Sequence, residues 1–300
     1  MSGYTGFHLA GIIPVSGQKL EFNMPWHDSL MPIAPDYLAI ERSVVECAYA
    51  GCETIWIVCN DDMQPLIRHR LGDYVNDPVM AYRGYLNHWD KFQEQGSKPI
   101  PIYYVPIHPN DRNKKDCLGW SVLYGAYTSW KIARRLSKWL VPSRFYVSFP
   151  YGVYDPSVLR KYRKQISSNE GFLLSFDGET VVDGQMLGFT FTPEQSKELT
   201  YEFKRNATSL YKNYPSDGMV KEKLDRYSIE ERYSGRFFSI KDIFGTLDTS
   251  SVEIVAINKS WDISTWDGYC NYISEHGKDI QRPSENILKY KEFNGIGVDS

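Results

Sequence analysis

Residues Thr54 to Cys59 (TIWIVC) form a continuous apolar run with no alternation of polar and apolar positions. A strand with one face in water alternates, so this run belongs inside a sheet that is covered on both sides. The neighbouring pattern fits that demand. Phe7 to Val15 reads as a strand, followed by a polar, proline-punctuated loop from Ser16 to Asp36. Asp36 is placed to cap a helix from Tyr37 to Ala50, with Gly51 to end it. Asn60 or Asp61 would cap a second helix reaching Leu71 and Gly72. A third strand at Ile100 to Ile107, a long helix from Leu118 to Leu140 and a fourth strand at Arg144 to Phe149 continue the alternation. A helix from Pro156 to Gln165 follows. Strands and helices at this spacing imply right-handed crossovers and a mostly parallel sheet, hence a doubly wound α/β fold.

The second half is less regular. Gly171 to Phe176 and Met186 to Phe191 read as strands, with Asp177-Gly178 as a turn. Thr192-Pro193-Glu194 starts a helix running to Leu210 or Tyr211. Residues 213–235 are charged and turn-rich, an expected insertion or excursion. Val252 to Ile257 reads as a strand and Thr265 to Glu275 as a short helix.

Composition narrows the class. The 34 basic and 37 acidic residues give a net charge of −3, so attraction to phosphate along the whole surface is excluded and nucleic acid becomes an unfavoured partner. No stretch approaches the roughly 18 apolar residues of a membrane span, and the N-terminus lacks the basic region of a signal peptide. Met1-Ser2-Gly3 does not fit the myristoylation pattern. Cys47, Cys52, Cys59, Cys117 and Cys270 form no CxxC pair and have no histidine at zinc-finger spacing, so reduced thiols in the cytoplasm are expected. Aromatic residues, at 15%, are the outlying number, assigned first to the core and second to stacking or partner contacts.

Five segments carry a resemblance. Gly17-Gln18-Lys19-Leu20 is similar to a glycine-rich G-T-R-L loop. Leu30-Met31-Pro32-Ile33 through Ile40-Glu41-Arg42 is similar to L-L-P-I…P-x-I-E-R, and Ala50-Gly51 through Val58 to A-G-x-x-x-I-x-I-V. Gly188 to Glu194 resembles G-x-Y-x-F-x-P-E, and Trp261 to Tyr269 resembles W-x-D-x-G-T-P-E-D-Y. In this order, over residues 7 to 275, they resemble the sugar-phosphate nucleotidyltransferases. The resemblance implies a Rossmann-like three-layer sandwich over residues 1–275, with a smaller C-terminal elaboration and a tail at 276–300. It also implies an active site for a nucleoside triphosphate and a sugar phosphate with Mg²⁺. Gly17, Gln18, Lys19 and Gly119 would contact the nucleotide, and Asp262, with Asp155 assisting, would hold the metal. Lys19 and Asp262 would be the catalytic pair.

The chain departs from the family at key positions. Only Gly17 remains of the glycines, and Lys19 stands near the family's arginine without its bidentate fork. Asp28, after His27, replaces a phosphate-attracting lysine. Tyr151 stands where the first metal aspartate belongs, with Asp155 four residues later. Plainer roles compete for each residue. Gly17 and Lys19 would also suit an ordinary turn, and Asp155 before Pro156 a helix start. Asp262 would suit a cap beside Ser264 and Thr265. His27 and Asp28 would serve as a replacement acid–base pair or metal site, although neighbours in sequence need not face one site. Lys114, Lys115 and Asp116 precede Gly119 as a specificity loop or a solvated connection, and Arg134, Arg135 and Lys138 read as a solvated helix face.

Two functions follow: a divergent nucleotidyltransferase, or a non-catalytic relative serving as a binding or assembly module with a protein partner or a second copy. A glycosyltransferase would call for a D-x-D motif, which Asp61-Asp62 and Asp217 do not supply.

Overall fold

The computed structural model describes residues 7–17, 24, 26–79, 99–108, 117–207, 238–283 and 287–288. In chain order the strands are β1 (Leu9–Pro14), β2 (Pro32–Ala34), β3 (Tyr37–Leu38), β4 (Thr54–Cys59), β5 (Tyr74–Asn76) and β6 (Pro99–Pro106). Then come β7 (Arg144–Val147), β8 (Gly152–Val153), β9 (Gly171–Ser175), β10 (Phe189–Phe191), β11 (Val252–Ala256) and β12 (Trp261–Asp262). Eight of them form one sheet in the order β11-β9-β10-β7-β1-β4-β6-β5. β7, β1, β4 and β6 are parallel; β10 opposes β7, β9 opposes β10, and β11 runs with β9. With β5 opposed to β6, the sheet is mostly parallel with two reversed strands. The expected α/β class is what the chain adopts.

The helices are α1 (Ala39–Ala50), α2 (Gln64–Leu71), α3 (Leu118–Leu136), α4 (Arg163–Ile166), α5 (Pro193–Ala207), α6 (Ile240–Phe244) and α7 (Trp266–His276). Alternation along β1 shows how two of them sandwich the sheet. A side chain at Gly11 would meet Cys47 of α1, whereas the neighbouring Ile12 meets Gly125 of α3. Successive strand residues point to opposite faces, so α1 and α3 cover opposite sides. That is why β1 is buried from end to end and β4 is buried beyond Thr54.

Boundaries moved where side chains found better partners. Asp36 does not cap α1. It sits at φ 54° in the turn between β2 and β3, and its carboxylate pairs with Arg70 at 2.8 Å and Arg282 at 2.5 Å. The Arg70 hydrogen bond is the main reason its pKa lies below the ordinary value. The helix instead starts after Leu38, whose amide donates to the Glu41 carboxylate at 2.8 Å. Gly51 ends α1 at φ 93°, as expected. The helix expected from Leu118 to Leu140 stops at Leu136 and continues after Ser137 as a short 3-10 turn. The one expected from Pro156 to Gln165 is a 3-10 turn followed by α4. The 213–235 excursion lies outside the described residues.

One buried cluster joins these layers. Glu46 of α1, fully inaccessible, accepts hydrogen bonds from Arg42 at 2.7 Å, Tyr146 at 2.6 Å, Ser148 at 2.5 Å and Tyr154. Arg42, equally buried, donates to the Phe149 carbonyl at 2.5 Å and lies over the Tyr154 ring at 4.9 Å. Gly188 makes room for the cluster, since a Cβ there would stand 2.1 Å from the Tyr146 hydroxyl and 2.7 Å from Glu46.

Removing one partner of such a pair leaves a buried charge uncompensated. Glu46→Ala is expected to lose about 3–5 kcal/mol by urea unfolding. Gly188→Ala should lose about 1–3 kcal/mol through overpacking. Wild-type stability in both variants would show that the cluster is not tightly packed.

Candidate functional site

From β1 the chain winds outward through β4 to β6, then crosses back to lay β7 on the other side of β1. Connections therefore leave the carboxyl ends of β1 and β7 in opposite directions. In open α/β sheets this divergence creates the crevice in which ligands bind.

The loop after β1 is held from three sides. Val15 and Ser16 amides donate to the Val58 carbonyl at 2.9 and 3.0 Å. The Ser16 hydroxyl donates to Asn60 Oδ1 at 2.8 Å, and Ser121 of α3 donates to the Ser16 carbonyl at 2.6 Å. Gly17 has φ 91°, and a Cβ there would lie 2.4 to 2.6 Å from the Cys117 backbone. Glycine is thus required twice, by its left-handed backbone and by the close approach of α3. Gln18 and Lys19 lie outside the described residues, as do Lys114, Lys115 and Asp116. Gly119 is buried in the first turn of α3, where a Cβ would strike Ile243, so packing alone accounts for that glycine.

The connection after β7 turns inward. Ser148 is spent on Glu46 and the Phe149 carbonyl on Arg42. Tyr151 follows, almost wholly buried, with no hydrogen-bond partner for its hydroxyl among the described residues. Burial pushes its pKa well up, and the Asp28 carboxylate adds to the effect. The Tyr151 carbonyl accepts the Ile263 amide at 2.9 Å, and Asp262 of β12 sits opposite Gly152 of β8. The structure therefore brings Asp262 beside Tyr151 and Gly152. Asp262 is exposed; its Oδ1 accepts the Ser264 amide at 2.8 Å, leaving Oδ2 without a hydrogen bond among the described residues. Thr265, not Asp262, caps α7.

Asp155 is used differently. Its two oxygens accept the Ser157 amide at 2.9 Å and the Ser157 hydroxyl at 2.7 Å, capping the 3-10 turn. Its charge acts on the buried Tyr37. Among the described residues, no three His, Cys, Asp or Glu side chains converge as a metal site.

His27 caps a 3-10 turn over Asp28–Leu30, and both His27 and Asp28 are buried. The Ser29 amide donates to His27 Nδ1 at 3.2 Å, which makes Nδ1 the unprotonated nitrogen. Burial lowers the His27 pKa to about 4, against a smaller opposing pull from Asp62. Position alone in the sequence gave no sign of this burial. The turn is anchored through the β2–β3 hairpin, where Tyr269 and Tyr272 of α7 donate to the carbonyls of Pro32 and Ile33 at 2.9 and 3.0 Å.

No family model and no curated protein matches the sequence. Solved structures do. A Bacillus anthracis protein provisionally assigned as a glucose-1-phosphate thymidylyltransferase, crystallised with sucrose, superposes with a TM-score of 0.55 at 11% identity, covering 93% of this chain and 98% of that one. The chain shares the fold of that protein. A UDP-glucose pyrophosphorylase complexed with UDP-glucose gives a TM-score of 0.49 at 14% identity, covering 92% of this chain and 100% of that one. A nucleoside-diphosphate-sugar pyrophosphorylase from Vibrio cholerae gives 0.47 at 12%, covering 88% and 100%. Both of these superpose too loosely to add to the argument. At such identities the likeness establishes architecture, and chemistry must be read from the residues themselves.

His27 gives the site a pH signature. Its folded pKa lies below the unfolded value of about 6.5, so the unfolded chain binds more protons between pH 6.5 and 4. Stability from the neutral imidazole is complete above pH 6.5 and falls as the pH drops towards 4, by up to about 3 kcal/mol. His27→Gln should flatten that part of a pH–stability curve measured by urea unfolding. An unchanged slope in the variant would assign the dependence to other groups.

Proposed function

We propose that the chain binds a nucleoside triphosphate and a sugar phosphate in the crevice between β1 and β7 and transfers the nucleotidyl group to the sugar phosphate. A phosphate oxygen of the sugar forms a bond to the α-phosphorus, the bond from that phosphorus to the bridging oxygen breaks, and pyrophosphate leaves. The observation that supports this most is the place of Asp262, an exposed carboxylate with one open oxygen across from Gly152. Mg²⁺ is commonly held by one or two carboxylates together with substrate phosphates and water, so a single aspartate fits the ion. The chemistry supplied by Mg²⁺ is neutralisation of charge across the phosphates. In this reading Gly17 lets the loop approach the phosphates and Lys19 contributes a cation to them. His27, neutral above pH 4, adds no charge. The five free thiols suit a reducing, cytoplasmic setting.

One observation favours a second reading, a non-catalytic relative that binds a ligand or a protein partner. Tyr151 places a buried phenol where the family has a carboxylate. The two readings separate in one experiment. Pyrophosphate release is measured over a panel of nucleoside triphosphates and sugar phosphates with Mg²⁺ or Mn²⁺, alongside calorimetry of nucleotide binding. The first reading expects turnover, and expects Asp262→Ala to lower it by about 100-fold or more. No turnover across the panel, with nucleotide affinity indifferent to Mg²⁺ and to Asp262→Ala, overturns it in favour of the second.

A further inference from the structure

Helices α3 and α5 enclose a groove of about 550 Å³. Its floor is aromatic: Trp120 stacks on Phe203 at 5.4 Å and stands 6.3 Å from Tyr124. Trp130 forms one wall, gripped between Arg134 at 5.1 Å and Lys197 at 5.4 Å from its ring. Lys204 lies 5.9 Å from the Trp120 ring. Among the described residues, two lysines line the groove and no carboxylate does. The volume falls within the roughly 300–1,000 Å³ of small-molecule sites, and the make-up, mostly apolar with a few placed polar groups, is theirs as well.

The charge pattern selects the ligand. An uncharged apolar molecule would cover the rings while taking water from the ammonium groups and offering them nothing. A small inorganic anion would pair with a lysine but leave the aromatic floor wet. A molecule satisfying both carries a flat or chain-like apolar body and one anionic group. We propose that the α3–α5 groove binds a small amphiphilic carboxylate or sulfonate, its apolar body on Trp120 and Trp130 and its anion at Lys197. The proposal does not rest on the nucleotidyl-transfer reading.

The test uses the full chain with 8-anilinonaphthalene-1-sulfonate as anionic probe and N-phenyl-1-naphthylamine as its uncharged counterpart, both followed by fluorescence. The expected result is saturable binding of the sulfonate at one site. Lys197→Glu, at an exposed helix position, should weaken the sulfonate about tenfold or more while changing the uncharged probe less than twofold. Thr200→Trp, which fills the groove, should abolish binding of both, with an unchanged melting temperature showing that the variant folds. If Thr200→Trp does not fold, Lys197→Glu decides alone. Sulfonate binding that does not saturate, or that Lys197→Glu leaves unchanged, overturns the proposal. So does absence of binding, whether the chain is monomeric or dimeric by light scattering; a dimer that Thr200→Trp dissociates would assign the groove to a second copy.

Discussion

The ion pair between Arg42 and Glu46 holds the middle of this molecule, and it is wholly removed from water. Such a pair survives burial only when hydrogen bonds answer nearly every remaining donor and acceptor. Glu46 collects four donors, one local and three distant in the chain: Arg42 one helical turn away, and Tyr146 in β7, Ser148 after it and Tyr154 beyond β8. Arg42 in turn fixes the Phe149 carbonyl. Helix α1, strand β7 and the segment leaving β7 are therefore one unit. Gly188 is the concession that the β10 side makes to it.

That unit shapes the candidate site. The residues leaving β7 are pulled towards α1, so that segment is turned into the core and Tyr151 is sealed there. Ser16 and Gly17 follow β1, and Asp262 lies at the β8–β12 pair that follows β7. Asp262 is exposed, whereas His27 and Asp28 are buried. A local phosphate site on a chain with a net charge of −3 must rest on such few groups, because the surface as a whole does not attract anions.

Much of the framework was legible in order along the chain. The run Thr54 to Cys59 demanded a doubly covered strand, Gly51 demanded a helix end, and five short motifs pointed to the fold that the superposition shows. Asp36 illustrates where reading ended: local chemistry made it a helix cap, but Arg70 and Arg282 offered two charged partners from elsewhere. Asp155 illustrates the reverse, since its helix-start role is local and Ser157 fulfils it. Arg42 and Glu46 stand four residues apart on α1, a spacing visible in the sequence as an ordinary helical pair. Nothing local distinguishes that pair from a solvated one. Likewise Trp120, Tyr124, Tyr127 and Trp130 form a helical aromatic stripe, assigned first to the core; only the packing of α5 beside it reveals a groove.

By itself, the sequence determined the order of the main strands and helices and the mostly parallel sheet. These follow from backbone preferences and hydrophobic periodicity, which act over a few neighbouring residues. Tertiary structure alone decided which charges were buried, that the Tyr151 side chain is sealed in the core, that Asp262 pairs opposite Gly152, and that α3 and α5 leave a lysine-edged aromatic groove. Burial and hydrogen-bond satisfaction belong to residues 100 or more positions apart, as Glu46 and Tyr146 through Tyr154 are. Their energies depend on water being excluded from all sides at once, a condition no local stretch of sequence can state.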